Sequence, residues 1–477
     1  MHITPNLNLL WYVVGYAILM VIIGFFFSKK VSKSEDFILA GRGLGTFVLA
    51  GTLLASWVGS GTVSGGETSM AYSFGIIPSL LSNIPALVGI GILYFILPKI
   101  RETIGDRKKY TLASIMEEKY GQFARVLTII IIILAYVGIV SYQYKGVGFI
   151  LNVTTGLSVG WGTTIGAVLI IFLAAIGGLR SVANTDFIST FIMIIGLLVT
   201  LPTIYIIAGG WHGVISNTPH SHLTFTGPLS IPQLIGYLLP TLFLLLGDQN
   251  MYQRMAASKG DRTSKKAQIV WFIGYLIVAP TISLIAFASA SLFHNIDPGM
   301  ALMATSAVMP QFVGGLLLAA TTAFIITTGD SFLLSAATNV TYDIVDRLSK
   351  KKYTDAQLLM FTRIFVIVLG LLAYLLINFF PTVLSVQMYA YTVYGAGITP
   401  AILSLFLWKR ANAAGAVSSM LVGVIVTLVW EVGLGQPFGL NSSVISIPAA
   451  IIVLIIVTLT TSKRLTPSSD SSTSIES

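Results

Sequence analysis

The sequence predicts an all-α integral membrane protein of about thirteen transmembrane helices, and three observations predict it. First, hydrophobic residues make up 55% of the 477 positions and charged residues only 9%, against about 25% charged in soluble domains. Second, thirteen apolar stretches approach the roughly 20 residues that a helix needs to cross the hydrocarbon core. Third, 26 of the 27 Lys and Arg residues fall in alternate connections between those stretches, as expected when basic loops stay on the cytoplasmic side. The composition excludes a water-soluble protein, a disordered chain and a disulfide scaffold. With no Cys at all, thiolate metal sites and catalytic cysteines are excluded too.

The stretches lie at 8–28, 44–71, 74–97, 127–152, 159–177, 185–207, 232–252, 270–292, 312–342, 360–380, 384–408, 412–432 and 444–461. The first begins without a basic run and is longer than a typical signal core, so it reads as a retained helix. Basic residues follow every odd-numbered helix: Lys29, Lys30, Lys33 and Arg42 after the first, then Lys99 to Arg125, then Arg180, Arg254 to Lys266, Arg347 to Arg363, Lys409 and Arg410, and finally Lys463 and Arg464. Connections after even-numbered helices carry none. This places the N-terminus outside and the C-terminus inside. The net charge of +9 is therefore a label of topology, not a nucleic-acid footprint. Lys145, in the fourth stretch, is the one basic residue outside the pattern. No connection has room for a folded catalytic domain, so an enzyme is not expected. The Ser-rich tail, 465–477, reads as disordered.

Ionisable groups at membrane depth are costly and mark function by default. Glu67, Asp186, Asp248 and Asp330 are the carboxylates in or at the ends of apolar stretches, and structural ion pairing is the alternative for each. The second stretch holds Gly59-Ser60-Gly61-Thr62-Val63-Ser64-Gly65-Gly66-Glu67, with four glycines and three hydroxyls. Broken backbone survives in a membrane only where protein or a wet cavity satisfies it; a small-residue packing face is the other reading. A second interruption, Gly247-Asp248-Gln249-Asn250, falls in the seventh stretch. With the first helix set aside, the breaks occupy core helices one and six. Five helices per unit invert the next unit, the pattern of inverted-repeat transporters with a site at the midplane. In the ninth stretch Phe324, Thr327, Thr328 and Ser331 share one helical face and Asp330 borders it. That oxygen stripe suits a hard cation such as Na⁺, although hydroxyls bonded back to their own helix are a competing reading.

On these residues the chain resembles the sodium:solute symporter family, which includes sodium-coupled sugar, proline, pantothenate, sialic acid and choline transporters. Four motifs carry the resemblance: Ala55-Ser56-Trp57-Val58-Gly59, Gly177 to Asp186, Asp248 to Arg254, and Thr327-Thr328-Gly329-Asp330-Ser331. It implies a LeuT-like 5+5 inverted repeat behind one extra helix: 1–43 the extra helix and its loop, 44–208 and 209–408 the repeats, and 409–464 two further helices. It implies Na⁺ held by the carbonyls of Ala55, Val58 and Phe324 and the hydroxyls of Thr327 and Thr328. A second cation or a proton is implied at Asp186, Asp330 and Ser331. Many members have a small hydroxyl residue where this chain has Asp330, while choline-transporter relatives have Asp.

The solute cavity is expected among Trp57, Ser60, Thr62, Gln143, Lys145, Asp248, Gln249, Tyr391 and Tyr394. A Lys145 facing it would suit a carboxylate-bearing or amino-acid-like metabolite. Trp57, which matches a choline-transporter tryptophan, would suit an organic cation, and pairing of Lys145 with Glu67 or Asp248 is the structural alternative. His212, His220 and His222 read as residues of a solvated outer loop rather than metal ligands. The expectation is Na⁺-coupled import of a small polar solute across the plasma membrane. Its partners are the lipid bilayer and that solute, with no nucleic acid and no obligate protein. The rivals are a proton-coupled carrier using Asp330 or Asp186, a channel, a sensor, and a twelve-helix facilitator with both termini inside.

Overall fold

In lipid a backbone must satisfy its own hydrogen bonds, and apolar runs of this length therefore become helices. The computed structural model describes residues 3–28, 39–105, 111–176, 179–347, 349 and 352–462. Among them every regular element is helical. Eleven helices are long and apolar enough to cross a membrane, and the bent pair Thr46–Trp57 and Gly61–Phe74 makes a twelfth. The 22-residue helix α1 (Leu7–Ser28) is about 33 Å long, but its apolar part, Leu7–Ile23, is shorter than those spans, so twelve of the thirteen expected spans meet that measure among the described residues. Lys29, Lys30, Lys33, Arg107, Lys108, Lys109, Lys350, Lys351, Lys463 and Arg464 lie outside the described residues, as do Gly177, Gly178 and the tail.

The elements that build the site are few. The first broken span is α2 (Thr46–Trp57) followed by α3 (Gly66–Phe74). Next come α4 (Ile84–Gly105), the short α5 (Leu112–Tyr120), the long α6 (Gln122–Thr155), and α7 (Leu179–Ile207). The second broken span is α8 (Ile231–Gly247) and α9 (Gln249–Ala256). Then follow α10 (Asp261–Leu292), α11 (Gln311–Thr338), α12 (Asp355–Leu376) and α13 (Val383–Gly397). In the apolar 18-residue stretch of the spans Gln311–Asp346 and Val383–Leu407, 83% of residues are buried, against 28% in that of Ser443–Thr461 and 33% in that of Val182–Ile207. So α11 and α13 form the centre, and α7 turns a lipid-facing side outward with Phe191, Ile195 and Leu198 exposed.

Contacts between distant connections bear on the charge alternation. Lys99 donates to the Phe406 carbonyl (3.1 Å) and Lys119 to that of Leu405 (3.2 Å). Arg101 pairs with Asp261 (2.6 Å) and Arg347 with Glu117 (2.9 Å). Connections three, seven, nine and eleven thus share one face of the bundle. Even-numbered connections meet on the other: the His222 carbonyl lies against Gly75, and Gln233 Nε2 donates to the Phe438 carbonyl (3.3 Å). On the first face Leu44, just before α2, pairs with the chain leaving α9: its N–H reaches the Ala257 carbonyl (3.1 Å) and its carbonyl the Lys259 N–H (3.1 Å). The inner ends of the two broken spans are therefore tied together.

Candidate sodium and solute sites

At the first break α2 stops at Trp57 because Val58 leaves helical geometry (φ −87°, ψ 88°), and the axis bends by 46°. Glycine is required here by proximity: a Cβ on Gly59 would lie 2.5 Å from Thr328 Oγ1. The orphaned N–H groups find side chains. Ser60 N donates to Gln143 Oε1 (2.8 Å) and Gly66 N to Gln387 Oε1 (2.8 Å).

The carbonyls at the end of α2 face α11. Thr327 Oγ1 donates to the Ala55 carbonyl at 3.2 Å and Thr328 Oγ1 to the same oxygen at 3.1 Å. Thr328 also reaches the Ser56 carbonyl (3.4 Å), and Thr327 the Phe324 carbonyl (3.4 Å). Four of the five expected sodium residues thus form one knot of oxygens, and Val58 opens the break beside it. Hard cations such as Ca²⁺ hold oxygens at about 2.3–2.6 Å, so two ligands at right angles sit about 3.4 Å apart. The observed spacings of 3.1–3.4 Å match that shell, so these residues fit a bound Na⁺. Back-bonding occurs as well: Thr327 also reaches the Ala323 carbonyl (2.9 Å) and Ser331 the Thr327 carbonyl (2.6 Å).

One turn below, Asp186 Oδ2 accepts from Thr52 Oγ1 (2.5 Å) and Ser56 Oγ (3.3 Å). Arg254 comes within 3.8 Å of the same oxygen and donates to Thr52 Oγ1 (3.1 Å) and Ser331 Oγ (2.6 Å). This corrects the reading of Arg254 as a loop residue. It belongs to α9, is 1% exposed, and enters a cluster with Asp186, Asp330 and Ser331. Two carboxylates there offset the cost of burying a guanidinium. The residues proposed for a second cation do come together, and a built-in cation already reaches them. Asp186 Oδ1 remains a buried acceptor with no hydrogen-bond partner among the described residues.

The solute residues divide. Trp57, Thr62 and Tyr391 line a cavity of about 10 Å³ together with Glu67, Tyr237, Tyr275 and Gln387. The Trp57 and Tyr391 rings lie 6.4 Å apart, and Tyr275 Oη donates to Glu67 Oε1 (3.0 Å). Ser60 and Gln143 lie at the break, bonded to each other. Asp248, Gln249 and Tyr394 serve the second break instead. Asp248 caps α9 by accepting from Asn250 N (3.0 Å) and from Tyr136 Oη. Tyr394 Oη donates to the Gly247 carbonyl (2.8 Å) and accepts from Gln249 N (3.0 Å). Gln249 Oε1 accepts from Leu112 N (2.8 Å).

Lys145 requires a correction. It does not line this cavity but a separate outer pocket of about 550 Å³ with Trp161, Tyr374 and Asn378. Its ion-pair partner is Asp297 (3.8 Å), not Glu67 or Asp248, because its position on α6 turns it toward the outer end of the bundle. Glu67, Tyr237, Tyr275 and Gln387 are among the cavity residues absent from the expected set. Gln387 stands one helical turn before Tyr391, a spacing that would have placed it on the same face. Of the outer histidines, His220 and His222 sit on a short turn and His212 on the helix Gly210–Ser216. Partial burial lowers the His222 pKa.

The model of the sodium:solute symporter family matches residues 37–423. The chain belongs to this family. Family membership makes it a sodium-coupled transporter rather than an enzyme, a multi-pass protein of the plasma membrane with Na⁺ as its coupling ion. It is 27% identical over 465 residues to the osmoregulated proline transporter OpuE of Bacillus subtilis, covering 94% of each chain. It is likewise 27% identical to a Staphylococcus aureus sodium/proline symporter, over 94% of this chain and 92% of that one. The symporter's fold is similar to that of a Na⁺-coupled sialic acid symporter, a structure solved in a substrate-bound outward-open state, with a TM-score of 0.80 at 20% identity over 96% of this chain and 99% of that one. The nucleobase-cation-symport-1 transporter Mhp1 follows with a TM-score of 0.60 at 13% identity, over 89% and 93% of the two chains. The architecture is therefore LeuT-like.

Proposed function

We propose that the symporter imports an amino-acid-like solute whose positively charged nitrogen is held by Glu67. One observation carries this reading: Glu67 is the single charged side chain in the cavity lining, and aromatic rings surround it. A carboxylate-bearing solute recognised by Lys145 loses its support, because Lys145 lies elsewhere. The proline relatives agree with the proposal, since proline carries an ammonium group. The aromatic lining of Trp57, Tyr237, Tyr275 and Tyr391 favours a second reading, an organic cation such as choline.

In the proposed mechanism Na⁺ binds among the Ala55, Val58 and Phe324 carbonyls and the Thr327 and Thr328 hydroxyls, pinning α2 to α11. Trp57 is the last residue of α2, so the ion also sets the position of the solute cavity. That is a coupling between two sites, and it is reciprocal. On this reading 44–208 and 209–408 are the inverted repeats that rock about the site. Each positive charge moved across 100 mV releases about 2.3 kcal/mol, which corresponds to roughly 50-fold accumulation at about 1.4 kcal/mol per tenfold.

The test is thermal stability of the purified protein with L-proline, choline or succinate, each with and without Na⁺, because ligand binding raises apparent stability. A nitrogen-bearing solute is expected to stabilise the protein only with Na⁺. Glu67→Gln is expected to lose that response and keep the response to Na⁺ alone. Stabilisation by succinate and by neither nitrogen compound would overturn the reading. Charge moved per solute separates its two forms: at one Na⁺ per solute, one charge for the zwitterion and two for choline.

A further inference from the structure

Lys145 is the one basic residue that breaks the charge alternation, and the transport site does not use it. The outer connections contain no Lys or Arg, so Lys145 is the single lysine or arginine toward that face. It stands in the wall of the outer pocket of about 550 Å³, inside the range of roughly 300–1,000 Å³ typical of small-molecule sites. No residue lines both this pocket and the solute cavity.

The pocket lies where the 18-residue helix Val159–Ile176 begins and α12 ends. Thr164 Oγ1 and Tyr374 Oη share a hydrogen bond (2.7 Å) that joins the two helices within the lining. Ser158 and Asn378 add a hydroxyl and an amide. The ammonium keeps capacity of its own. It carries three hydrogens, of which the Pro381 carbonyl takes one (3.1 Å). Asp297 Oδ2, at 3.8 Å, stands beyond hydrogen-bonding distance, and the other oxygen of that carboxylate accepts from Gly299 N (2.9 Å). An oxyanion in the pocket thus meets an ammonium and several hydroxyls, with one carboxylate as its rival.

The rim shows what carries the anion. Trp161 lines the pocket and is 67% exposed. It heads the stripe Trp161, Ile165, Val168 and Phe172, which share one helical face and are all exposed. On α12 Leu371 and Leu375, on either side of Tyr374, are exposed as well. In a membrane these apolar faces meet acyl chains, and Trp and Tyr at their outer ends mark the level of the headgroups. A small polar solute has no use for the stripe, whereas a lipid covers pocket and stripe together. We propose that the pocket binds the headgroup of an anionic phospholipid of the outer leaflet. Its phosphate sits on Lys145, as in other basic pockets between membrane helices, its head hydroxyls meet Ser158, Thr164 and Tyr374, and one chain runs down from Trp161 to Phe172. The inference does not depend on the solute.

The chain has no cysteine, so Asn378→Cys, at an exposed position of the lining, reports without background. Its labelling by a maleimide in detergent is followed as phosphatidylglycerol, phosphatidylcholine or glycerol phosphate is added. Phosphatidylglycerol is expected to protect the thiol, and the other two are not. Lys145→Gln is expected to raise the lipid concentration for half-protection about fivefold, the share of one basic side chain at an anionic surface. Asp297→Asn is expected to lower it about two- to fivefold, because the rival carboxylate is gone. Equal protection by the two lipids, or an unchanged midpoint in Lys145→Gln, overturns the proposal. Equal protection by glycerol phosphate overturns it too, because the ligand would then be a free organic phosphate. Should Lys145→Gln fail to fold, Asp297→Asn carries the test, and a midpoint unchanged or raised there overturns the site.

Discussion

At the first break the buried backbone from Val58 to Gly66 is held by glutamines from two other helices, and Gly59 lets Thr328 approach. At the second, two tyrosine hydroxyls and a carboxylate clamp the four residues 247–250. Tyr136 and Tyr394 stack at 5.5 Å with 5° between their planes, and between them they bond Gly247, Asp248, Gln249 and Asn250. Both breaks leave helical N–H and C=O groups without intrahelical partners. The first leaves carbonyl oxygens facing threonine hydroxyls, where an ion fits. The second spends its freed backbone groups on those side chains, while Asp248 Oδ2 and Asn250 Nδ2 stay buried without a hydrogen-bond partner among the described residues. A helix break in a transporter is therefore not by itself a binding site; what decides is whether neighbouring side chains use up the freed backbone.

Substitutions can break that contrast. Gly59→Ala is expected to abolish Na⁺-dependent uptake, because its Cβ would meet Thr328 Oγ1 at 2.5 Å; uptake near the native level would show that the first break is not tightly apposed to α11. Arg254→Gln is expected to lower unfolding stability by about 3–5 kcal/mol, the cost of leaving buried charges unpaired, read from thermal unfolding in detergent. It also tests whether α9 is anchored to α2 through Thr52 and to α7 through Asp186. Thr328→Ala is expected to raise the Na⁺ concentration for half-maximal uptake at least about tenfold, as loss of metal-site contacts does, with little change in unfolding temperature. An unaltered Na⁺ response would remove Thr328 from the proposed shell. Tyr394→Phe is expected to show the opposite profile: a stability loss of about 1–3 kcal/mol for the unsatisfied Gly247 and Gln249 groups, and a native Na⁺ response. If it weakened Na⁺ binding instead, the second break would not be merely structural.

Much of the architecture was legible because lipid imposes local rules. The thirteen apolar runs, the alternate basic connections and both glycine- or carboxylate-marked breaks follow from backbone satisfaction and charge placement, which act residue by residue. The oxygen stripe of Thr327, Thr328 and Ser331 was legible for the same reason, since helical spacing puts it on one face. The solute cavity was legible only in part. Trp57 and Tyr391 line it, whereas Asp248, Gln249 and Tyr394, equally polar and equally deep, are consumed by the second break. Glu67 was visible as a costly charge, but its neighbours Tyr275 and Gln387 come from helices more than 200 and 300 positions away in the chain.

What the sequence determined by itself is the membrane class, the alternation of sides and the two interruptions, each set by local composition or spacing; the family was legible as a resemblance carried by four motifs. What only the tertiary structure decided is the direction of the rare charges. Arg254 turns inward to Asp186 rather than out to solvent, and Lys145 reaches Asp297 rather than the solute. The rotation of a helix about its axis depends on packing against its neighbours, and no local pattern in a nearly uniformly apolar run records it.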